Sequence, residues 1–459
     1  MSENSAQSAE SLGYKAKEAF DASQLLDTTV RSNALLAIRE ELVSRKAEVF
    51  AANEEDLKEA SVLVEQGKLS APSLRRLALN NDSKFNGIVK SLEEIAHLPD
   101  PNNKMTYAIE LDDELELYRV ACPIGVLLVI FESRPEVVIN VAALSIKSGN
   151  AAILKGGKES KNTSYILNKV IQDALSKHTE LLPHLIQTIN TREQVSSLLS
   201  LDQYIDLVVP RGGKALVQNI KEHSKIPVMG HADGICSVYV DEHADLEKAI
   251  RVVVDSKTDY PSVCNATETL LLHESQLKNF NNIAKALLTN KNPVTMHLDE
   301  KSHSSLSQDI QTTYSSQIIQ AKDSDYETEW LDYEISVKVV SSIREAIAHV
   351  NTHGSHHTDC IVTENDTNKN TWMKGVDSAG CYVNVSTRFA DGFRYGFGAE
   401  FGVATGKTHA RGPVGLEGLV IYKYILRSIA DKGHIVGEFG DGGKSYTHKP
   451  ITDNRQPWY

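Results

Sequence analysis

The sequence is short of the features that usually assign a chain to a class. Its five cysteines, Cys122, Cys236, Cys264, Cys360 and Cys381, include no Cys-x-x-Cys pair. A disulfide framework and a structural zinc site are therefore not expected, and a reducing compartment is. There is no long hydrophobic run. The longest, Ile124 to Phe131 with its glycine, falls far short of the ~20 residues that a membrane span needs. The first residues are polar and include acids, unlike a signal or transit peptide. Positive charge is not in excess, and the net charge of −13 argues against nucleic acid or an anionic membrane as the main partner. Internal repeats and low-complexity tracts are missing, and no Gly-x-Gly-x-x-Gly follows an early strand. With 41% hydrophobic residues the chain can build real cores, in about three domains at ~150 residues each. A cytoplasmic globular protein is expected.

What is present begins with helices. Ala34, Leu35, Ile38, Leu42, Val49 and Leu57 recur at helical spacing in a stretch that reads as helical to about residue 100. From Met105 to Arg119 apolar and charged residues alternate around Asp112-Asp113, which predicts an exposed hairpin. Short apolar strands then alternate with helices. The strands are predicted at Val126–Phe131, Ala151–Leu154, Leu185–Ile189 and Ile205–Val209, the last broken by Pro210. That alternation means a parallel sheet covered on both faces, whose ligands bind at the carboxyl ends of the strands. Two loops are placed for this, Lys155-Gly156-Gly157-Lys158 and Arg211-Gly212-Gly213-Lys214, each pairing glycines with cations; solvated turns are the alternative. Gly402 to Thr408 imitates a phosphate-binding P-loop, but Phe401 stands where its first glycine is required and Glu400 would repel phosphate.

Cys264 stands apart from the other thiols. It lies on a polar turn of Pro261, Ser262 and Asn265, directly before a strand-like run from Thr267 to Leu272. A thiol at the lip of an element can meet a substrate, although a lone cysteine is more often a small buried hydrophobe. His353, His356 and His357 with Asp359 could suggest a metal site, but a pocket loop is the preferred reading and no metal is expected.

Several motifs together resemble the glutamate-5-semialdehyde dehydrogenase family, also called γ-glutamyl phosphate reductases, within the aldehyde dehydrogenase superfamily. They are Pro123-Ile-Gly-Val126, Phe131-Glu-Ser-Arg-Pro135, Lys147-Ser-Gly-Asn150, Pro261-Ser-Val-Cys-Asn265, His353-Gly-Ser355, His357-Thr-Asp359, Val383-Asn-Val-Ser-Thr-Arg388 and His409-Ala-Arg-Gly-Pro413. The resemblance implies an α/β, aldehyde dehydrogenase-like fold with two parallel-sheet domains and a small β-arm oligomerisation domain. It puts a cofactor domain at 1–106 and 120–240, a catalytic domain at 241–402 and arms at 107–119 and 403–426. Residues 427–459 are left as a tail. The implied reaction is NADPH-dependent reduction of γ-glutamyl phosphate to glutamate 5-semialdehyde and phosphate, in proline synthesis from glutamate. Cys264 would be the nucleophile, with NADP held by Lys155, Gly156, Gly157, Lys158, Arg211, Gly212 and Gly213. Ser133, Arg134, Asn265, Ser355, His357 and Arg388 would be candidates for substrate or oxyanion contacts, Arg388 equally for a structural ion pair. Expected partners are the small-molecule substrate, further copies in a homo-oligomer (dimer or tetramer) and, functionally, glutamate 5-kinase.

Two departures sharpen this. Hydrolytic relatives carry a glutamate in Glu-Leu-Gly-Gly-Lys, where this chain reads Met229-Gly-His-Ala-Asp-Gly234. His231 or Asp233 could substitute as a base, so a hydrolytic aldehyde dehydrogenase stays the rival reading, with a non-catalytic nucleotide-binding protein the more distant one. NAD users often carry Lys-x-x-Glu where Lys155-Gly-Gly-Lys158 stands, so a cation replaces the carboxylate and NADP is favoured, with Glu159 opposing.

Overall fold

A computed structural model describes residues 8–132, 134–189, 191–452 and 457. The chain forms two compact units. The first comprises residues 1–210, 223–228 and 415–459, the second 211–222 and 229–414. Of the residues expected in the cofactor domain and the arms, 211–222, 229–240 and 403–414 lie within the second unit.

In the first unit the helical stretch resolves into five helices, Ala9–Ser23, Thr29–Ser44, Lys46–Glu65, Ala71–Leu77 and Asp82–His97. Ala34, Leu35, Ile38, Leu42 and Val49 are buried on one side of this layer, as a 3.6-residue period requires. The sheet behind it runs Ile186–Ile189, Ala151–Lys155, Val126–Phe131, Leu207–Arg211. Every residue of Val126–Phe131 is buried, each large aliphatic contributing ~1.5–3 kcal/mol relative to exposure. Pro210 does not break the last strand as expected. That strand lies at the sheet's edge, where a missing N–H costs no ladder bond.

The predicted hairpin forms as Met105–Asp112 and Leu115–Pro123, but it is not simply exposed. The strand Val420–Ser428 pairs along its second strand, and Lys449–Pro450 pairs with its first. Tyr118 and Val120 become fully buried, and so does Glu116. The Glu116 carboxylate accepts from Arg427 Nε at 2.7 Å and from the Tyr118 hydroxyl at 2.8 Å. The tail therefore packs on the hairpin, a pairing that local alternation could not reveal.

The second unit is built on a seven-stranded sheet of parallel neighbours. Its order is Ile318–Gln320, Thr295–Leu298, Glu334–Val340, Thr267–His273, Cys236–Val240, Thr358–Val362, Gly380–Val383. Leu270 and Leu272 enter one core with Val238, Val337 and Phe280. Leu271, between them, enters the opposite core with Tyr239, Ile361 and Trp372. Burial on both faces fits the apolar end of this strand, Leu270 to Leu272, while Thr267, Glu268 and Thr269 are buried as polar residues. Residues 402–404 and 412–414 pair as a small antiparallel ladder, and Lys407 meets Asp377 at 2.8 Å, so the P-loop imitation has no phosphate-loop structure. No helix among the described residues is long and apolar enough to cross a membrane.

Candidate active site

Three neighbouring strands bring the site together. Cys236–Val240, Thr267–His273 and Thr358–Val362 lie side by side and parallel, so the loops leading into them enter at the same edge of the sheet. These loops carry His231 and Gly234, Cys264, and Ser355 and His357. The site of this unit thus forms at the amino ends of its strands, as the position of Cys264 directly before the strand from Thr267 indicates.

Cys264 sits half-buried in the turn between the helix Leu246–Thr258 and the strand Thr267–His273. The Ala266 N–H donates to Val263 O at 3.1 Å and closes the turn. Arg388 clamps it from behind. Its Nε donates to Asp259 at 3.2 Å, and its Nη1 donates to the Asn265 side-chain oxygen. The Asn265 amide nitrogen donates to Ala390 O at 2.9 Å, and Thr387 Oγ1 donates to Asn265 O at 2.7 Å. Arg388 and Asn265, expected near substrate, are thus engaged in holding both ends of the Cys264 turn. Ser355 is engaged likewise, its Oγ accepting from the Ile235 N–H at 2.8 Å.

Gly234 lies directly against the Cys264 turn. A Cβ at this position would sit 2.1 Å from Cys264 O and 2.5 Å from Cys264 Cβ. The Gly234 N–H donates to Glu329 at 2.9 Å, and burial pushes that carboxyl above its usual range. The approach needs a glycine, which the sequence supplies. The carboxylate comes from a loop 95 residues away, and no local pattern marks it. Lys257 and Glu268 form a second hidden pair at 2.5 Å with both side chains fully buried. Burial drives Glu268 up to about 7 and Lys257 down, each partly offset by the other's charge.

The two imidazoles facing the turn are His231 and His357, with ring centroids 5.4 Å apart. His231 Nδ1 donates to Val403 O at 3.0 Å. His357 is buried, its Nδ1 lies 3.0 Å from Thr358 Oγ1, and its Nε2 has no hydrogen-bond partner. Burial lowers both, His357 to about 3, so each is neutral near pH 7. The other histidines considered with His357 point elsewhere. His353 meets Glu327 at 3.1 Å, and His356 Nδ1 donates to Asp377 O at 2.8 Å.

Burial also acts on the other four thiols. It raises Cys122, Cys236 and Cys381, and takes Cys360 to about 12, which makes them poor nucleophiles. Cys236 lies beneath the turn, its thiol donating to Cys264 O at 3.3 Å.

The remaining expected residues fall on either unit. Arg134 is half-buried in the first unit, before the helix Val137–Lys147, and Ser133 lies outside the described residues. Gly156, Gly157 and Lys158 line a cleft of about 400 Å³ in the first unit, with Phe131, Ser164 and Lys68 also on its wall. Lys155 ends its strand and does not line the cleft. The residues fit a nucleotide cofactor on two observations. A Cβ on Gly156 would crowd Ser164 Oγ at 3.0 Å, and that buried hydroxyl has no partner. Glu159 also lines the cleft, its carboxylate folded over Gly157. In the second glycine loop the cations face carboxylates of their own unit, Arg211 with Glu400 at 3.7 Å and Lys214 with Asp233 at 2.8 Å.

Comparison with known proteins agrees with this architecture. A model of the aldehyde dehydrogenase family matches residues 1–324, and that family uses nicotinamide cofactors. A probable gamma-glutamyl phosphate reductase of Schizosaccharomyces pombe is 48% identical over 95% of this chain and 96% of its own. The gamma-glutamyl phosphate reductase of Saccharomyces cerevisiae is 46% identical over 97% and 98%. The crystal structure of the Thermotoga maritima gamma-glutamyl phosphate reductase superposes with a TM-score of 0.85 at 34% identity, covering 92% of this chain and 99% of that one. The chain belongs to the γ-glutamyl phosphate reductases of the aldehyde dehydrogenase family.

Proposed function

We propose that the chain reduces γ-glutamyl phosphate to glutamate 5-semialdehyde and phosphate with NADPH, in the cytoplasmic route from glutamate to proline, through a thioester on Cys264. The observation that carries this is the Cys264 turn, clamped by Arg388, closed by Gly234 and flanked by neutral imidazoles. His231 takes the thiol proton on the nitrogen not engaged by Val403. The thiolate then attacks the acyl carbon, and the C–O bond to phosphate breaks with its electron pair on the leaving group. Backbone N–H groups of the turn steady the oxyanion. When bound, NADPH would supply the hydride that turns the thioester into a thiohemiacetal, whose oxygen takes up the proton held on His231. Loss of the hydroxyl proton with cleavage of the C–S bond frees the aldehyde and regenerates the thiolate.

Gly156, Gly157, Lys158 and Ser164 would hold the cofactor, Lys158 facing the extra phosphate of NADP. Exposed Ile421, Tyr422, Tyr424 and Leu426 on the edge strand Val420–Ser428 support a homo-oligomer, since an apolar edge calls for cover. Functional association with glutamate 5-kinase would deliver the labile acyl phosphate.

Glu329 on Gly234 favours a second reading, hydrolytic aldehyde oxidation, in which a carboxylate activates water against the thioester. One experiment separates the two: NADP⁺ reduction by glutamate semialdehyde with and without inorganic phosphate. The reductase reading expects turnover only with phosphate or arsenate, and none in Cys264→Ala, which should still bind NADPH. Equal rates without phosphate would establish the hydrolytic reading.

A further inference from the structure

The convergence of His231, Cys264 and His357 has a chemistry that acyl transfer does not exhaust. One donor atom from each, a ring nitrogen of both histidines and Cys264 Sγ, lies within 4.8 Å of the others. A thiolate with two neutral imidazoles is a donor set for borderline-soft divalent ions such as Zn²⁺ and Co²⁺, and it discriminates against Mg²⁺ and Ca²⁺. Three protein ligands leave a fourth position open to water.

Two further features mark a ligand site. His357 is 1% exposed, yet its Nε2 has no partner, and a buried ring nitrogen left unsatisfied is costly unless a ligand takes it up. His231 is oriented by donating Nδ1–H to the Val403 carbonyl, the kind of outer contact that fixes the tautomer of a metal-bound imidazole and leaves the lone pair on the other nitrogen. We propose that His231, Cys264 and His357 form a site for a Zn²⁺-class cation at the nucleophile. With metal–sulfur and metal–nitrogen distances of about 2.3 and 2.0 Å, the donors must close to roughly 3.5 Å apart. Rotation of the Cys264 side chain about its Cα–Cβ bond, the turn itself staying in place, is the movement this asks for. Binding releases the thiol proton and reduces or oxidises nothing. Because the proposed reaction uses the same thiol, occupancy would also stop turnover until a chelator removes the ion. That consequence rests on the reading of Cys264 as nucleophile; the binding does not.

The test uses the full-length, reduced, metal-free protein titrated with Co²⁺, reading the thiolate-to-cobalt charge-transfer band. The expected result is one Co²⁺ per chain, displaced by Zn²⁺ and not by Mg²⁺. The band should be absent in Cys264→Ser, and affinity should fall at least tenfold in His231→Gln and His357→Ala. Circular dichroism checks folding, and His231→Gln stands if the buried His357 variant fails to fold. The proposal is overturned if wild type shows no thiolate–cobalt band, or if a folded histidine variant binds as tightly as wild type. Parallel activity assays keep the readings apart, since cobalt binding without loss of turnover would tell against Cys264 as nucleophile and leave the metal site standing.

Discussion

Gly234→Ala is the smallest change that should disable the site without touching a reacting group. The added methyl would lie 2.1 Å from Cys264 O, 2.3 Å from its Cα and 2.5 Å from its Cβ, against an ordinary contact beginning at 3.4 Å. All three are backbone or backbone-proximal atoms, so no flexible side chain can absorb the clash. The Cys264 turn must move by roughly 1 Å, a misplacement that can lower turnover by ~10²-fold, or about 2.7 kcal/mol of barrier. Overpacking should also remove ~1–3 kcal/mol of stability. The assay is kcat alongside the iodoacetamide reaction rate of Cys264 and the urea midpoint. Gly87→Ala is the control, because a Cβ there meets nothing within 4 Å and its helix should gain ~1 kcal/mol. If Gly234→Ala keeps kcat within about twofold of wild type, the turn is not held by this approach and the steric argument is wrong.

Lys158→Glu should reduce the ratio of kcat/KM for NADP over NAD by on the order of tenfold, the worth of a partly exposed charge contact; an unchanged ratio would remove the cleft from cofactor choice. Arg427→Ala would take the cationic partner Arg427 from the buried Glu116 carboxylate, the Tyr118 hydroxyl still donating to it, and should cost up to ~3–5 kcal/mol in urea unfolding, with Arg427→Lys recovering part; a loss under ~1 kcal/mol would mean the tail packs loosely. His349 has its pKa lowered from 6.5 to about 3, by burial first and then by His353 and Lys338. Between those values the unfolded chain binds a proton that the folded chain does not, so stability held above 6.5 is lost as pH falls toward 3. His349→Leu should lose less over that window, read as urea midpoints at its two ends, and an identical loss would assign the acid sensitivity elsewhere.

Sequence by itself determined what depends on neighbours along the chain. Val126–Phe131 is a strand whose continuous burial shows as continuous apolarity, and Leu270–Leu272 marks the apolar end of the strand that begins at Thr267. Cys264 could be singled out because the polar residues around it mark a turn, and the combined motifs were enough to indicate the family.

Tertiary structure decided everything that depends on strand order. His231, Cys264 and His357 meet only because the strands they precede are neighbours in the sheet, and no periodicity records that order. The same holds for Glu329 on Gly234, 95 residues away, and for Arg427 on Glu116, 311 residues away. The ion pair Lys257–Glu268, 11 residues apart, escaped notice for another reason. A charged residue in a sequence is read as solvated, and only packing around both partners at once makes its burial tolerable.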